Sequence, residues 1–323
     1  MKKARFIVII VSVILIVIGI VLGITAFCAA GFNFSEMSRD NREKCTVSMN
    51  DWLNDIVGDK KDVEIESLDL NTIDDDIKIL KTDKDEAYVE YYDGNDFGYE
   101  FFLEGSAIKS LQTDKRPWYE HFFNFGTFSQ GRSFVVYLPE NDHFGKISRF
   151  EINSVSGDII LEKDAPNFME YSLNTVSGDV GLSFDHVLRS VDINTVSGNV
   201  KLDRCNTYSF SAKTVSGEMS LTDTVVIDSA KLDTVSGDIS LERYDCSLTD
   251  VNSISGDVKG TVLEGVYGKI SSTSGESDIP SYYDAKEEKT ESREKYEDFI
   301  YPQGEREFNA ETVSGDVILT LAE

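Results

Sequence analysis

Eight glycines of this chain are each followed by a residue whose side chain carries oxygen, and these oxygens are the groups best placed for chemistry. They belong to Asp158, Asp179, Asn199, Glu218, Asp238, Asp257, Glu276 and Asp316. Short acidic and amide side chains commonly accept a backbone hydrogen bond at a bend. A row of such oxygens can also hold Ca²⁺ or Mg²⁺, because both cations prefer oxygen ligands.

We favour the hydrogen-bonding role for this row. The chain lacks the glycine-rich nonapeptide that is typical of calcium-binding β-rolls. A cation ladder therefore stays open as the alternative, and Ca²⁺ would be its ligand. Its candidate residues are Asp158, Asp179, Glu218, Asp238, Asp257 and Asp316.

Other reactive groups are few and scattered along the chain. Only three histidines and no Cys-x-x-Cys pair occur, so the sequence does not support a zinc site. It also contains no Gly-x-Ser-x-Gly, His-Glu-x-x-His or phosphate-binding loop. A carboxylate-based active site needs paired acids with a basic or metal partner in a cleft, whereas the acids here are spread along turns. We therefore expect no enzymatic activity and no cofactor.

The eight glycines mark a repeat of the form Thr/Ser-x-Ser-Gly followed by Asp, Asn or Glu. They stand at positions 157, 178, 198, 217, 237, 256, 275 and 315, so steps of 19 to 21 residues precede a last step of 40. Apolar residues alternate with other residues on both sides, as Phe210 and Ala212 do before Gly217 and Met219 and Leu221 after it. This alternation predicts strand, tight bend and strand in each copy. We expect glycine to supply a bend geometry that other residues reach only with strain.

Stacked copies of such a unit share one core, so the sequence predicts an all-β fold, a parallel β-solenoid with coils of about 20 residues. Its domain spans residues 63–323. We expect irregular lead coils over 63–149, regular coils over 150–279 and 308–323, and an insertion over 280–307. Because the last step equals two periods, the insertion should replace most of one coil as a projecting loop or short exposed helix. A docking site is the alternative for it.

A segment rich in aromatic residues, 116–128, interrupts the lead coils. Two roles fit it: a plug over an open end of the sheets, or a loop that faces a partner or a membrane. We favour the plug and keep four aromatic residues as candidates for partner contact. These are Trp118, Tyr119, Phe122 and Phe123.

The N-terminus predicts a membrane anchor. A basic cytoplasmic stub, 1–5, precedes an apolar run, 6–28, which is long enough to cross a bilayer as a helix of about 20 residues. The basic stub keeps the N-terminus cytoplasmic and places the body outside. A cleaved signal peptide is the alternative, because small residues follow Cys28. Residues 29–62 are expected to form a juxtamembrane stalk, with one short helix near 49–57.

Charge limits the partners of the body. The chain carries 31 basic and 58 acidic residues, a formal net charge of −27, and its basic stub lies at the N-terminus. Such a body is repelled by nucleic acid and by anionic headgroups, so we expect no nucleic-acid binding.

Cys205 and Cys246 should not form a disulfide, because two coil spacings, about 10 Å, exceed the roughly 7 Å Cα limit.

These Thr-Val-Ser-Gly-Asp units, behind a strand-rich lead and a Leu138-Pro139 step, resemble the bacterial putative-adhesin domain family of cell-envelope proteins. The resemblance covers about Val63 to Glu323, and it weakens at the copy around Thr273 and at the insertion after Gly275. It implies an envelope location, often with a single membrane span, and no catalytic residues. Three functions remain open: a non-catalytic binding or adhesion module, a passive scaffold or envelope-stress sensing component, or a solenoid that binds divalent cations.

Overall fold

The structure is a computed structural model of the 323-residue chain. It describes residues 42–57, 64–94, 97–114, 132–139, 147–162, 169–262, 266–275, 277–278, 295–299 and 306–321. The predicted membrane span and the four candidate aromatic residues lie outside these ranges. Within them, no helix has the length and apolarity that a bilayer crossing requires.

The described chain is all-β apart from one short helix, and it divides into two compact units, Met1–Gly178 and Asp179–Glu323. In both units, strands form because apolar and polar residues alternate, which buries every second side chain. The predicted all-β class is confirmed, and both sheets are rich in parallel pairs.

The elements of the first unit are β1 Glu43–Ser48, α1 Met49–Val57, β2 Ser67–Thr72, β3 Asp76–Thr82, β4 Tyr88–Asp93, β5 Phe97–Glu104, β6 Ala107–Asp114, β7 Ser133–Pro139, β8 Arg149–Ser154, β9 Ile159–Leu161 and β10 Glu170–Asn174. One sheet has the order β1-β4-β7-β3-β9, and the other has β10-β8-β2-β6-β5. Antiparallel strands lie at one end of each sheet, where β1 pairs with β4, β4 with β7, and β5 with β6. The remaining pairs are parallel, as in β2 with β8.

Residues 42–57, which were expected to belong to a stalk, are instead folded as part of the first unit. Strand β1 pairs with β4 along its whole length. The predicted helix is confirmed: it follows Ser48, whose Oγ accepts the N–H of Asp51 at 3.2 Å, and it buries Met49. Its Trp52 ring lies edge-on to Phe101, with 6.3 Å between ring centroids. Strand pairing and apolar contact thus hold a segment whose composition alone indicated an exposed linker.

The elements of the second unit are β11 Val180–Leu182, β12 Val187–Asn194, β13 Val200–Asp203, β14 Asn206–Lys213, β15 Met219–Thr222, β16 Val225–Asp233, β17 Ile239–Glu242, β18 Asp245–Asn252, β19 Val258–Val262, β20 Val266–Ser272, β21 Ser277–Asp278, β22 Lys295–Phe299, β23 Arg306–Thr312 and β24 Val317–Leu321. Successive strands from β11 to β18 alternate between two sheets, of orders β11-β13-β15-β17-β19-β24-β21 and β22-β20-β23-β18-β16-β14-β12. Each coil therefore adds one strand to each sheet, in a solenoid-like arrangement.

The core of the second unit occupies the positions that the alternation predicts. Around Gly198, Gly217, Gly237 and Gly315, the residues five positions before the glycine and two and four positions after it are all buried, as Ala212, Met219 and Leu221 are around Gly217. Cys205 and Cys246 are both free thiols, which confirms that they do not pair. Burial raises the pKa of the Cys205 thiol to about 12, so it stays protonated at neutral pH.

The stacking order of the last coils differs from the expected one. The C-terminal copy, β23 and β24, lies between the coil of β18 and β19 and the coil of β20 and β21. The insertion therefore does not replace a coil between the last two copies. It lets the chain turn back, so that the final copy enters between two earlier ones.

This order places the weaker copy at the end of the stack. The C-terminal copy has a complete motif, and its Val317 and Leu319 are both buried between neighbours. The copy at Ser272 lacks this apolar alternation in β21, and its strand β20 pairs on its other side with β22 in antiparallel fashion. Terminal repeats are commonly atypical because one face has no further repeat to cover it. Within the insertion, residues 295–299 form strand β22, and the other residues up to 305 lie outside the described part.

Candidate functional site

Hydroxyl side chains in the repeated corner form hydrogen bonds with its backbone N–H and carbonyl groups. Thr214 Oγ1 accepts the N–H of Gly217 at 2.9 Å, and Ser236 Oγ donates to the Val215 carbonyl of the neighbouring coil at 3.2 Å. The first contact recurs in Ser154–Gly157, Thr175–Gly178, Thr195–Gly198, Thr234–Gly237, Ser253–Gly256, Ser272–Gly275 and Thr312–Gly315. Both contacts give backbone groups at the corner the hydrogen-bond partners that buried polar groups need.

Close packing between coils, and not an unusual backbone angle, explains the glycines. Among the described glycines only Gly105 has a positive φ, of 65°. A Cβ on Gly237 would overlap the carbonyl oxygen of Gly217 in the neighbouring coil, and the same holds at Gly217 against Gly198. The expected strained geometry is therefore wrong, and glycine is needed because it alone lets neighbouring corners approach this closely.

The predicted oxygen ladder is engaged in backbone hydrogen bonds. Asp238 Oδ1 accepts the N–H of Asp257 at 2.8 Å, and Asp257 Oδ1 accepts that of Asp316 at 2.9 Å. The hydrogen bond from the Asp316 N–H, and then the ion pair with Lys259 at 3.0 Å, lower the pKa of the Asp257 carboxyl. Asp179, Asn199 and Asp76 accept bonds of the same kind from Asn199, Glu218 and Asp158 respectively.

These bonds link successive coils and occupy one oxygen of each acceptor. The residues of the ladder stand one to a coil, and Glu276 lies outside the described part. In the described ranges, no three or more His, Cys, Asp or Glu side chains come together in a way that could hold a metal ion. The cation ladder stays an untested alternative.

A further copy of the corner, hidden in the sequence, is Thr72-Ile73-Asp74-Asp75-Asp76. Thr72 pairs in register with Ser154, and the Ser156 N–H donates to the Ile73 carbonyl at 2.9 Å. Asp74 and Asp75 therefore occupy the places of serine and glycine. The copy escapes a motif search because these two residues differ from the repeat, although its Thr and its last Asp match it.

Two arginines neutralise this buried pair of carboxylates. The side chains of Asp74 and Asp75 are 1% and 0% exposed. Arg42 Nη2 lies 2.5 Å from Asp74 Oδ2, and Arg132 Nη2 lies 3.4 Å from the same oxygen. The Tyr99 hydroxyl donates to Asp75 Oδ2 at 2.8 Å. Opposite charges and hydrogen bonds offset part of the desolvation that burial imposes on these side chains.

Burial sets the titration of this cluster. It raises the pKa of Asp75 to about 6, with further repulsion from Asp74, while Arg42, Tyr99 and Arg132 oppose the shift. Burial beside Asp75 also raises the pKa of the Tyr99 hydroxyl well above its usual range. Paired acids with basic partners resemble a catalytic arrangement, but side chains this buried do not meet a substrate. We therefore interpret the cluster as a structural one that holds Arg42 against the corner Thr72–Asp76.

A shallow groove of about 410 Å³ lies on the outer face of the second unit, and we take it as the candidate binding site among the described residues. Its lining residues come from the three neighbouring strands β12, β14 and β16. They are Arg189, Ser190, Tyr208, Ser209 and Asp228. The groove thus combines one cation, one anion, two hydroxyls and one aromatic ring.

A β-bulge builds this groove. Between paired positions, β16 has two residues, Ile227 and Asp228, where β14 has only Tyr208. The bulge breaks the alternation and turns Ile227, Asp228 and the next residue, Ser229, all outward. Bulges re-aim side chains in this way and are enriched near functional sites. The sequence carries a signal for it, because the step from Gly217 to Gly237 is one residue longer than the 19-residue steps on either side.

Exposed apolar side chains stand on the same three strands as the groove. Val187, Tyr208, Val225 and Ile227 are 45%, 49%, 39% and 38% exposed. They make up four of the eight exposed large apolar side chains in the described ranges, so exposed apolar surface is concentrated here. We call these four residues, together with the groove, the β16 patch. Contiguous exposed apolar surface commonly marks an interaction site.

Comparison with known proteins gives a family and distant structural likenesses. A family model described as Toastrack DUF4097 matches residues 65–320. Among solved structures, a putative lipid binding protein from Parabacteroides distasonis is 16% identical with a TM-score of 0.49, covering 88% of this chain and 98% of that one. A putative adhesin from Bacteroides fragilis is 9% identical with a TM-score of 0.41, covering 88% and 98%.

A putative cell adhesion protein from Clostridium sporogenes is 11% identical with a TM-score of 0.31, covering 87% of this chain and all of that one. At these identities and TM-scores, the solved structures carry no argument about ligands. No curated protein matches the chain.

Proposed function

Since the chain belongs to the Toastrack DUF4097 family, we propose that it is a non-catalytic binding module of the bacterial cell envelope. In this proposal residues 6–28 are a single-pass membrane anchor, the N-terminus is cytoplasmic and the solenoid body is extracytoplasmic. The observation that carries the binding role is the β16 patch. A protein that serves only as a spacer has no need of a bulge that turns apolar and charged side chains outward together.

The chemistry of the patch supports binding over catalysis. The groove pairs Arg189 and Asp228 with a tyrosine and two serines, and it is open to solvent. Ser209 Oγ donates to the Arg189 carbonyl at 3.5 Å, so the contact of this hydroxyl is with backbone and not with a general base. The buried acid pair, Asp74 and Asp75, belongs to the other unit and is sealed by arginines.

A passive scaffold is the second candidate, and the corner ladders favour it. Hydrogen bonds of threonine, serine and aspartate link coil to coil through the stack, for example from Ser236 to Val215 and from Asp257 to Asp238. Such a ladder is suited to a stiff spacer. It does not account for the bulge or for the apolar side chains around it.

Binding of the full-length protein to isolated cell envelopes tests the proposal. The purified chain in detergent is sedimented with envelopes, and Tyr208→Ser and Ile227→Ser are compared with Ile160→Ser. Ile160 is 37% exposed in the first unit, so it is a matched control for loss of one exposed apolar side chain. We expect the two patch variants to bind about tenfold more weakly, as losses of central contacts do, and the control to bind as the parent does.

If the parent protein does not sediment with envelopes, the scaffold function is favoured. Equal binding by all four proteins would place the binding surface elsewhere and contradict the role of the patch.

The topology is tested separately. Protease added to intact spheroplasts should digest the body and leave residues 1–28 protected. Protection of the body would contradict the extracytoplasmic location, and a mature N-terminus near residue 31 would contradict the uncleaved anchor.

A further inference from the structure

Resting on the proposed binding function, we propose that the β16 patch binds a neutral glycan chain that lies across strands β12, β14 and β16. The site is the groove of Arg189, Ser190, Tyr208, Ser209 and Asp228. Its ligand class follows from the charge of the body, from the pairing of the strands beneath the groove and from the groups that line it.

Charge argues against a polyanionic ligand. The chain has a formal net charge of −27, which repels anionic polymers and lipid surfaces. Within the groove, Arg189 and Asp228 carry opposite charges, so the site itself has no excess of either sign. A ligand without net charge is neither repelled by the acidic body nor mismatched with the balanced charges of the groove.

Strand pairing argues against a peptide. A peptide that adds a strand needs an unpaired sheet edge, but β14 pairs with β12 and β16, and β16 pairs with β18. Helix recognition needs a long apolar groove, and recognition of phosphorylated motifs needs an arginine cluster. The groove has a single arginine and a single aromatic ring.

The lining groups match the two chemical surfaces of a sugar. A pyranose ring has an apolar C–H face and a rim of hydroxyls. The Tyr208 ring, 49% exposed, offers a flat surface for the C–H face. Asp228 can accept hydrogen bonds from ring hydroxyls, and Arg189 and Ser190 can donate to them.

The geometry favours a chain over a single sugar. Neighbouring strands are about 4.8 Å apart, so the three strands of the groove span about 10 Å. The groove is shallow, and exposed Val187 and Val225 stand further along β12 and β16. An extended oligosaccharide can therefore contact Tyr208 and these two valines together.

The test uses the full-length protein in detergent and soluble probes of stated chemistry. The probes are a hexamer of N-acetylglucosamine, maltohexaose and, as an anionic polymer, poly-glutamate, with binding measured by calorimetry. We expect at least one neutral oligosaccharide to bind, and poly-glutamate not to bind. Between about 50 mM and about 500 mM salt the affinity should stay within about twofold, because no net charge is neutralised.

Variants connect binding to the groove. Tyr208→Ser should weaken oligosaccharide binding about tenfold or more, Asp228→Asn should weaken it less, and Ile160→Ser should leave it unchanged. Each variant is checked by circular dichroism and thermal unfolding, so that loss of binding is not confused with loss of folding.

The outcomes separate this inference from the proposed function. If neither oligosaccharide binds while envelopes still bind in a Tyr208-dependent manner, the glycan inference is overturned and the binding module stands with a different ligand. If envelopes do not bind at all, the proposed function fails. If an oligosaccharide binds equally well to Tyr208→Ser and Asp228→Asn, the groove is not its site.

Discussion

Two corners of the same repeat solve the same packing problem in different ways. At a regular corner such as Thr234–Asp238, a threonine hydroxyl caps the glycine N–H, and the glycine lies against the carbonyl of its neighbour. At the hidden corner Thr72–Asp76, two buried aspartates stand in place of serine and glycine, and Arg42 and Arg132 neutralise them.

The difference shows what a neighbouring coil supplies. A regular corner lies between two copies of itself, so its donors and acceptors are satisfied by identical groups above and below. The hidden corner has a regular copy on one side only, at Gly157, and β6 and β7 on the other. There, Arg42 and Arg132 form ion pairs with its two buried aspartates. The regular corner therefore depends on steric fit, and the hidden corner on charge balance.

The largest effect should come from adding a side chain at a regular corner. Gly237→Val places a Cβ on the Gly217 carbonyl oxygen, which cannot move away because it belongs to packed backbone. We expect a loss of about 5 kcal/mol or more in the free energy of unfolding, measured by urea titration.

Gly181 provides the matched control for this change. A Cβ there meets no heavy atom within 4 Å, so Gly181→Val should change stability by less than about 1 kcal/mol. A Gly237→Val protein as stable as the parent would show that neighbouring corners are not this close.

Breaking charge balance at the hidden corner should have the next largest effect. Arg42→Met leaves Asp74 and Asp75 with one arginine in a site where their side chains are 1% and 0% exposed. We expect a loss of about 4 kcal/mol, mostly from the uncompensated buried charge.

The control is Arg149→Met. Arg149 pairs with Glu170 at 3.2 Å, but its side chain is 63% exposed, so its loss should cost less than about 1 kcal/mol. Similar losses from both variants, measured by urea unfolding, would contradict the charge-balance account.

The hidden corner should also make stability depend on pH. The pKa of Asp75 is about 6 in the folded protein against an ordinary value of 3.8. Between these values the folded state binds more protons than the unfolded state, so this residue's contribution to stability falls as pH rises from about 4 to about 6 and is constant above. The total change is about 3 kcal/mol.

Asp75→Asn isolates this contribution, because the amide keeps an acceptor for Tyr99 and does not titrate. The stability of the variant relative to the parent should increase between pH 4 and pH 7, as followed by unfolding at each pH. A relative stability that is flat or decreases over this interval would contradict the raised pKa.

The smallest effect should come from the oxygen ladder. Asp238→Ala removes the acceptor for the Asp257 N–H and should cost about 1 kcal/mol. Asp238→Asn keeps an oxygen in place, as Asn199 does naturally for Glu218, and should cost much less. Equal costs in thermal unfolding would indicate that the charge at this position matters more than the hydrogen bond.

The sequence by itself determined the strands and the inward side of each. Period-two alternation around Gly217 or Gly237 specifies which residues are buried, because a shift of one residue would move every apolar side chain outward. The corner spacing also indicated one coil for each copy. These features are local, so they can be derived from a few consecutive residues.

The groove was only partly accessible to sequence reasoning. The 20-residue step that ends at Gly237 reports one extra residue, but a turn can absorb an extra residue as well as a strand can. Only the pairing of β16 with β14 and β18 places it at Ile227–Asp228, where it turns both side chains outward.

Tertiary structure alone decided the coil order and the buried charges. Chain order would place the copy at Ser272 directly after that at Ser253, yet the copy at Thr312 lies between them. Likewise, Arg42 is 32 residues from Asp74, and no local pattern relates them. Any copy of matching register can pair in parallel with any other, so the stacking order depends on which copy has apolar residues to bury on both faces. The copies that compete for the inner position are far apart in the chain, and burial of their apolar residues in the common core sets the order.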